Sequence, residues 1–226
     1  MNLPDDLEDG LNYYDPEANL FSDIGQKVDR GGGLSKRDVL LIVKWKLGRI
    51  KDANADTVAD ARMVEINRAV AKAREAGGEV AALEALEKIP GIGLATATAL
   101  LTVCYPEVFT IIDERVLEML DLFPSTLPRA KRTRHSTEDW TAREYWNEYV
   151  PQVKKQSEAW GCTLRDADRA LWGLSVRGRV DEIIDKTEKL PVELVAYDAM
   201  DASQGRAFQA MVEEGEKSRR AAYATG

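Results

Sequence analysis

Apolar residues recur along this chain at three- and four-residue intervals with polar residues between them, the period of helices that bury one face, and no run alternates in the way a half-buried strand would. A lead-in covering residues 1–34 is predicted to hold a short helix or two around Glu17 to Val28 and to end in the turn Gly31-Gly32-Gly33. Ser35 then precedes Lys36-Arg37-Asp38 and an apolar run with Val39, Leu40, Ile42, Val43 and Trp45. A serine followed three residues later by an acid can satisfy two orphan amides at a helix start, so a capped helix is expected here, central in the core. Met63, Ile66, Val70 and Ala73 predict a half-exposed helix closing at Gly77-Gly78. Glu79 to Ile89 predicts another, stopped by Pro90. A further helix starts near Leu94, and one more runs from Glu114 with Val116, Met119, Leu120 and Phe123 on one face.

Two prolines and the basic cluster Arg129, Lys131, Arg132 and Arg134 make residues 124–138 a loop. Helices resume beyond it. Ala142, Tyr145, Trp146, Tyr149 and Val153 form an aromatic stripe, with a kink expected at Pro151, and Thr163 with Asp166 caps a helix that continues through Leu171 and Trp172. The helical spacing of these aromatics favours core packing over a base-stacking platform. Residues 191–226 read as a weakly hydrophobic extension or tail. Val108 to Ile112 is β-prone but too short to found a sheet, so the fold class is all-α.

The 226 residues suffice for one hydrophobic core or for two small helical lobes sharing one, and 44% hydrophobic with 31% charged residues is ordinary for a globular chain. No apolar run approaches a membrane span and the N-terminus is acidic, which predicts a cytoplasmic protein without a membrane partner. Cys104 and Cys162 cannot supply a four-thiolate cluster and read as small buried hydrophobes. With His135 the sole histidine, serine–histidine chemistry and histidine-rich zinc sites are set aside, and no metal site is expected. A net charge of −8 argues against nucleic acid, whose binders usually show a basic footprint. Binding needs only a local patch, however, and not a basic sum.

The chemically informative stretch is Ile89-Pro90-Gly91-Ile92-Gly93-Leu94-Ala95-Thr96-Ala97, set between two amphipathic helices. A turn this tight calls for glycines, and the amides of Gly91, Gly93 and Ala95 can then face outward at a helix start whose dipole favours anions. Backbone amides bind phosphate without adding formal charge, which answers part of the charge objection. The same residues would also serve a plain αα-hairpin inside a core.

With Phe109-Thr110-Ile111-Ile112-Asp113-Glu114-Arg115-Val116 downstream of that hairpin, the chain resembles the helix-hairpin-helix DNA glycosylase superfamily over roughly residues 84–123. The resemblance implies a bilobal helical bundle over residues 35–190, with the hairpin at 89–97, a catalytic-aspartate segment at 109–123 and a cleft between the lobes. It implies that Asp113 is the catalytic carboxylate, able to stabilise a cationic sugar and orient water. Asp113 is equally a good N-cap for the helix that follows. Gly91, Gly93, Ala95 and Thr96 become the DNA-contacting hairpin residues. Ala95 stands where bifunctional members carry a Schiff-base lysine, which implies a monofunctional enzyme without lyase activity. No cofactor is implied.

The cluster Arg129, Lys131, Arg132 and Arg134 suits phosphate contacts or a solvated loop. Trp45 and Lys46 suit either the rim of a pocket or, for Trp45, the core. The expected partner is double-stranded DNA holding a damaged or modified base, bound by a monomer that is nucleoid-associated when engaged. Two rivals remain open: a non-catalytic DNA-binding module that kept the hairpin, and a helical protein-interaction domain favoured by the acidic balance. Which base would be removed is not encoded in any short motif.

Overall fold

The structure is a computed structural model that describes residue 17 and residues 20–49, 51 and 54–188. Among the described residues every regular element is helical and no strand occurs. The N-terminal stretch 1–16 and the extension 191–226 lie outside them. No helix among the described residues is long and apolar enough to cross a membrane.

A π-helical turn, Leu20–Gly25, runs directly into α1, Gln26–Asp29. Leu20, Ile24 and Val28 are buried, so this segment is part of the core and not the lead-in expected from the sequence. Gly25 allows the approach: a Cβ there would stand 3.0 Å from the Val103 carbonyl oxygen. α2, Lys36–Leu47, begins as its sequence predicts, with the Ser35 hydroxyl accepting from the Asp38 amide at 3.3 Å and Asp38 accepting from the Ser35 amide at 2.7 Å. Its stripe Val39, Ile42 and Val43 is fully buried.

The short α3, Asn54–Thr57, leads to α4, Asp60–Lys72, which buries Met63, Ile66, Ala69 and Val70. Asn67 of α4 ties the chain before α2 in place, accepting from the Leu34 amide at 2.6 Å and donating to the Leu34 carbonyl at 2.9 Å. α5, Glu79–Glu87, is joined by a tight turn to α6, Leu94–Cys104.

The central helix is α6 rather than α2. Every residue of α6 except Ala95 is buried, as expected of a helix apolar on all sides. Its threonines fit this interior by bonding back to the helix: Thr98 Oγ1 donates to Ala95 O at 3.0 Å and Thr102 Oγ1 to Thr98 O at 2.7 Å. Burial pushes the Cys104 thiol up to about 12, which makes it inert, while Cys162 is only half-buried.

α7, Glu114–Met119, is shorter than its apolar spacing suggests. Leu120 ends it and Asp121 turns to φ 48°, so Phe123 leaves the helix and stacks on His135, ring centroids 4.2 Å apart. After two 3₁₀ turns, Arg129–Lys131 and Thr137–Asp139, comes α8, Ala142–Glu144, which continues without a break through a π-helical turn, Tyr145–Tyr149, into α9, Val150–Trp160. The irregularity foreseen at Pro151 is this π turn. It directly precedes the proline, in keeping with the place of such turns where a proline interrupts the regular ladder of a helix.

α10, Leu164–Glu188, starts with the predicted Thr163 and Asp166 pair at 2.8 Å. The chain divides into a compact unit ending at Arg177 and a second unit from Gly178. That division falls inside α10, before the boundary at 190 suggested by the sequence, and residues up to Arg177 group as one unit.

Candidate functional site

Asp113, itself extended, ends a stretch without regular secondary structure, residues 109–113, whose first four residues are buried. Buried backbone outside a helix needs hydrogen-bond partners, and with no neighbouring strand those of residues 110–112 come from side chains. Tyr145 Oη donates to Thr110 O at 2.6 Å and accepts from Thr110 N at 3.2 Å. Tyr149 Oη donates to Ile111 O at 2.7 Å, and Ile112 N donates to Thr98 Oγ1 at 3.3 Å. The Ile111 amide hydrogen-bonds the Asp168 carboxylate. Lys46 Nζ donates to Ile112 O at 3.4 Å.

The π turn puts both tyrosine hydroxyls on consecutive carbonyls of this stretch. Burial pushes both phenols above their ordinary range, so each is a neutral, permanent donor. The segment that delivers Asp113 is thereby fixed from four helical elements.

The Asp113 carboxylate does two things at once. Oδ1 accepts from the Arg115 amide at 3.0 Å and caps α7, while Oδ2 accepts from Lys46 Nζ at 2.7 Å. The Lys46 and Asp113 side chains are 11% and 26% exposed, so the pair sits at the edge of solvent. Both line a cavity of about 460 Å³ together with Trp45, Ile111, Trp172 and the charged group Glu17, Arg165, Asp168 and Arg169. The volume lies within the range of small-ligand sites.

Arg165 organises the rest of the wall. It donates from Nη1 to Asp168 Oδ2 at 2.6 Å and from Nη2 to Glu17 Oε1 at 2.9 Å. Its guanidinium lies against two rings, 5.1 Å from the Phe21 centroid and 5.3 Å from that of Trp45. Arg165 Nε is buried without a partner. Arg169 Nε approaches Glu17 Oε1 at 3.4 Å. Burial pushes the Asp168 carboxyl up to about 6, against the opposing pull of Arg165, the Ile111 amide and Lys46. Trp172 stays 46% exposed at the wall, with the Arg115 guanidinium 5.4 Å from its ring centroid.

The turn between α5 and α6 is built differently. Gly91 has φ +85°, and Thr57 Oγ1 donates to Pro90 O at 3.1 Å beside it. Gly93 is the extended N-cap of α6, and its carbonyl takes the Thr96 and Ala97 amides at 3.0 and 2.9 Å. The amides of Gly91, Gly93, Leu94 and Ala95 find no acceptor among the described residues. Gly91 and Gly93 are exposed and Ala95 is half-buried. Thr96 must be removed from the contact set: it is 5% exposed, facing the core because α6 is buried on nearly all sides.

Arg129, Lys131, Arg132 and Arg134 are all exposed, and none lines the cavity. Arg132 is tethered, donating from Nε to Leu127 O at 3.1 Å with its guanidinium 5.8 Å from the Phe123 ring centroid. No group of side chains suited to a metal ion occurs among the described residues.

No family model, curated protein or solved structure matches the chain. The site therefore rests on its own geometry. That geometry brings Asp113, Lys46 and Trp45 into one cavity and adds Arg165, Asp168, Arg169, Glu17 and Trp172, which the sequence reading did not assign. One signal was available: Lys46 continues the buried stripe Val39, Ile42 and Val43 by one helical step, an improbable place for a lysine with only solvent to meet.

Proposed function

We propose that the protein is a DNA N-glycosylase, which extrudes a damaged or modified base from duplex DNA and hydrolyses its N-glycosidic bond, leaving a free base and an abasic site. One observation carries the reading: the Asp113 carboxylate is held by a rigid segment at the wall of a cavity of about 460 Å³ that also presents the indoles of Trp45 and Trp172. As the glycosidic bond breaks, positive charge grows on the sugar, and a fixed carboxylate stabilises it and orients the attacking water. Indole faces suit a planar base by stacking.

The uncommitted amides of Gly91, Gly93 and Ala95 at the start of α6 suit a phosphate oxygen, and the exposed arginines and lysine of residues 129–134 have the sign for further backbone contacts. In this reading the chain acts as a helix-hairpin-helix protein, as a monomer on cytoplasmic DNA, and uses water without a cofactor.

A second reading has one observation in its favour. Both oxygens of Asp113 already have partners in the Arg115 amide and Lys46, as a purely structural aspartate would. It makes the protein a DNA-binding module without catalysis. Mass spectrometry of bases released from a panel of alkylated, oxidised, deaminated and hypermodified duplexes separates the two. Release of a free base supports the enzyme. Salt-sensitive binding with no base released from any member of the panel leaves the module.

A further inference from the structure

Glu17 brings a carboxylate to the cavity from 148 positions before Arg165 and sets it on two arginines of α10 that lie one helical turn apart. Its Oε1 accepts from Arg165 Nη2 at 2.9 Å and stands 3.4 Å from Arg169 Nε. All three side chains line the cavity beside the indoles of Trp45 and Trp172. Arg165 does not depend on Glu17 for its position. It also donates to Asp168 at 2.6 Å, and its guanidinium lies 5.1 and 5.3 Å from the ring centroids of Phe21 and Trp45, so three further groups hold it when the carboxylate leaves. Its buried Nε has no partner, a donor that the present arrangement leaves unused. The Arg169 and Glu17 side chains are 59% and 31% exposed, so both have solvent to turn into.

We infer that Arg165 and Arg169 form a subsite for the phosphate of a nucleotide, which Glu17 occupies as an internal stand-in, and that the attached base lies against the indoles of the same cavity. A carboxylate and a phosphate offer a guanidinium the same paired oxygens, which is why arginine recognises both. A nucleotide has an anionic half and a flat aromatic half, and the cavity, with its arginine pair and its two indoles, has a counterpart for each.

Charge points the same way. With Glu17 in place, the carboxylates of Glu17, Asp113 and Asp168 face the cations of Lys46, Arg165 and Arg169. Lys46 is paired with Asp113 and Arg165 with Asp168, so turning Glu17 out to solvent leaves one positive charge without a partner. An entering phosphate restores the balance. Two sources share this chemistry, a nucleotide turned out of a DNA strand and a free deoxynucleotide. Only the first rests on the glycosylase reading, and neither requires a bond to be cleaved.

The test is calorimetric titration of the full chain with deoxyadenosine, with deoxyadenosine 5′-monophosphate, and with a single-stranded trinucleotide of deoxyadenosine without terminal phosphates. Glu17→Gln removes the competing charge but keeps an oxygen for Arg165, so the fold should stand, as a melting curve checks. Affinity for at least one phosphate-bearing probe should rise by about threefold or more in this variant, the scale of one partly exposed ion pair, with the nucleoside unaffected. Adding Arg169→Gln should cancel the gain. Glu75→Gln, which removes an exposed carboxylate that does not line the cavity, controls for net charge and should change nothing. A gain with the monophosphate assigns the subsite to free nucleotides, and a gain confined to the trinucleotide assigns it to a strand. A purely structural Glu17 predicts the opposite sign, because its loss would loosen the arginines and weaken binding. Unchanged or weaker binding of both phosphate probes by Glu17→Gln, an equal gain in Glu75→Gln, or an equal gain for the nucleoside would overturn the inference. None of these outcomes involves base release, so the glycosylase reading stands or falls separately.

Discussion

The wall of the cavity and the turn before α6 are both irregular segments without regular secondary structure, yet they are held in opposite ways. Residues 110–112 have their backbone groups taken by side chains of Thr98, Tyr145, Tyr149, Asp168 and Lys46, so the wall is fixed by many independent contacts. The turn at residues 88–93 has one side-chain bond to its backbone, from Thr57, and keeps several amides uncommitted. The first arrangement suits chemistry, in which a carboxylate must be preorganised before charge develops. The second suits a ligand that supplies the missing acceptors itself. Each half of the comparison can be broken by separate substitutions.

The largest effect is expected at the wall. Asp113→Asn keeps the shape and an N-cap oxygen but removes the charge that would face a cationic sugar. Base excision on the substrate identified by the panel should fall by about 10² to 10³ or more, with DNA affinity largely kept. The loss of the Lys46 pair should cost about 1 kcal/mol of stability, since both groups keep some contact with solvent. Single-turnover excision beside a binding titration and a melting curve measures all three. Excision at the parental rate would make Asp113 a helix cap only and empty the wall of its chemical meaning.

The next effect concerns how the wall is charged. Burial raises the Asp168 carboxyl to about 6, above its value in the unfolded chain, so the folded protein holds the proton more tightly. The stability tied to that proton is fully present below the unfolded pKa of roughly 3.9 and is lost as pH rises through about 6. The groups facing it, Arg165 and Lys46, oppose the shift without cancelling it. Asp168→Asn removes the titration. The stability of the parent relative to this variant should therefore be greater at pH 4 than at pH 7, by up to about 3 kcal/mol. Denaturant unfolding at the two pH values is the measurement. An unchanged difference would mean that Arg165 keeps Asp168 ionised throughout.

The contrast between the two regions also explains what the sequence disclosed. Helix positions followed from apolar spacing, and three starts followed from cap chemistry at Ser35, Asp113 and Thr163, because caps are local. The wall did not follow, because its partners lie far apart in the chain: Lys46 meets Asp113 across 67 positions and Arg165 meets Glu17 across 148. Tyr145 and Tyr149 were legible as a buried stripe, but the π turn and the targets of their hydroxyls were not, since four-residue spacing reads the same in either helix. Trp172 was legible only as part of the helix that Thr163 and Asp166 cap, and nothing local marked Asp168. Thr96 was misread because α6 turned out to be buried on nearly every side.

Within the turn, the two glycines should behave unequally. Gly91→Ala forces a side chain into φ +85° and brings a Cβ 2.5 Å from Thr57 Oγ1, so that the hydroxyl must move and its bond to Pro90 O is endangered. A loss of about 2 kcal/mol is expected, combining the left-handed cost with the displaced hydroxyl. Gly93→Ala should cost under about 0.5 kcal/mol, because an open surface change away from special backbone features is usually that small. Equilibrium unfolding of both variants checks the ordering, and equal losses would mean that the turn relaxes around Gly91.

That tolerance makes Gly93 the position for testing the turn as a phosphate site. A Cβ at Gly93 meets nothing within 4 Å and the residue has φ −91°, so Gly93→Asp introduces an anion with no steric or backbone penalty. Asp is moreover a preferred N-cap, and a negative charge at a helix start stabilises the free protein. The substitution therefore separates folding from binding: the melting temperature should hold or rise slightly. A phosphate seated on the amides of Gly91, Gly93 and Ala95 would meet that new charge, and duplex affinity should fall by roughly fivefold, the equivalent of about 1 kcal/mol. The log–log dependence of affinity on salt should also flatten by up to about one phosphate contact. Fluorescence titration of an unmodified duplex at several salt concentrations reads both quantities, with Gly93→Asn as the uncharged control that caps equally well. If Gly93→Asp and Gly93→Asn bind DNA alike, the uncommitted amides face water and the turn is only the connection between α5 and α6.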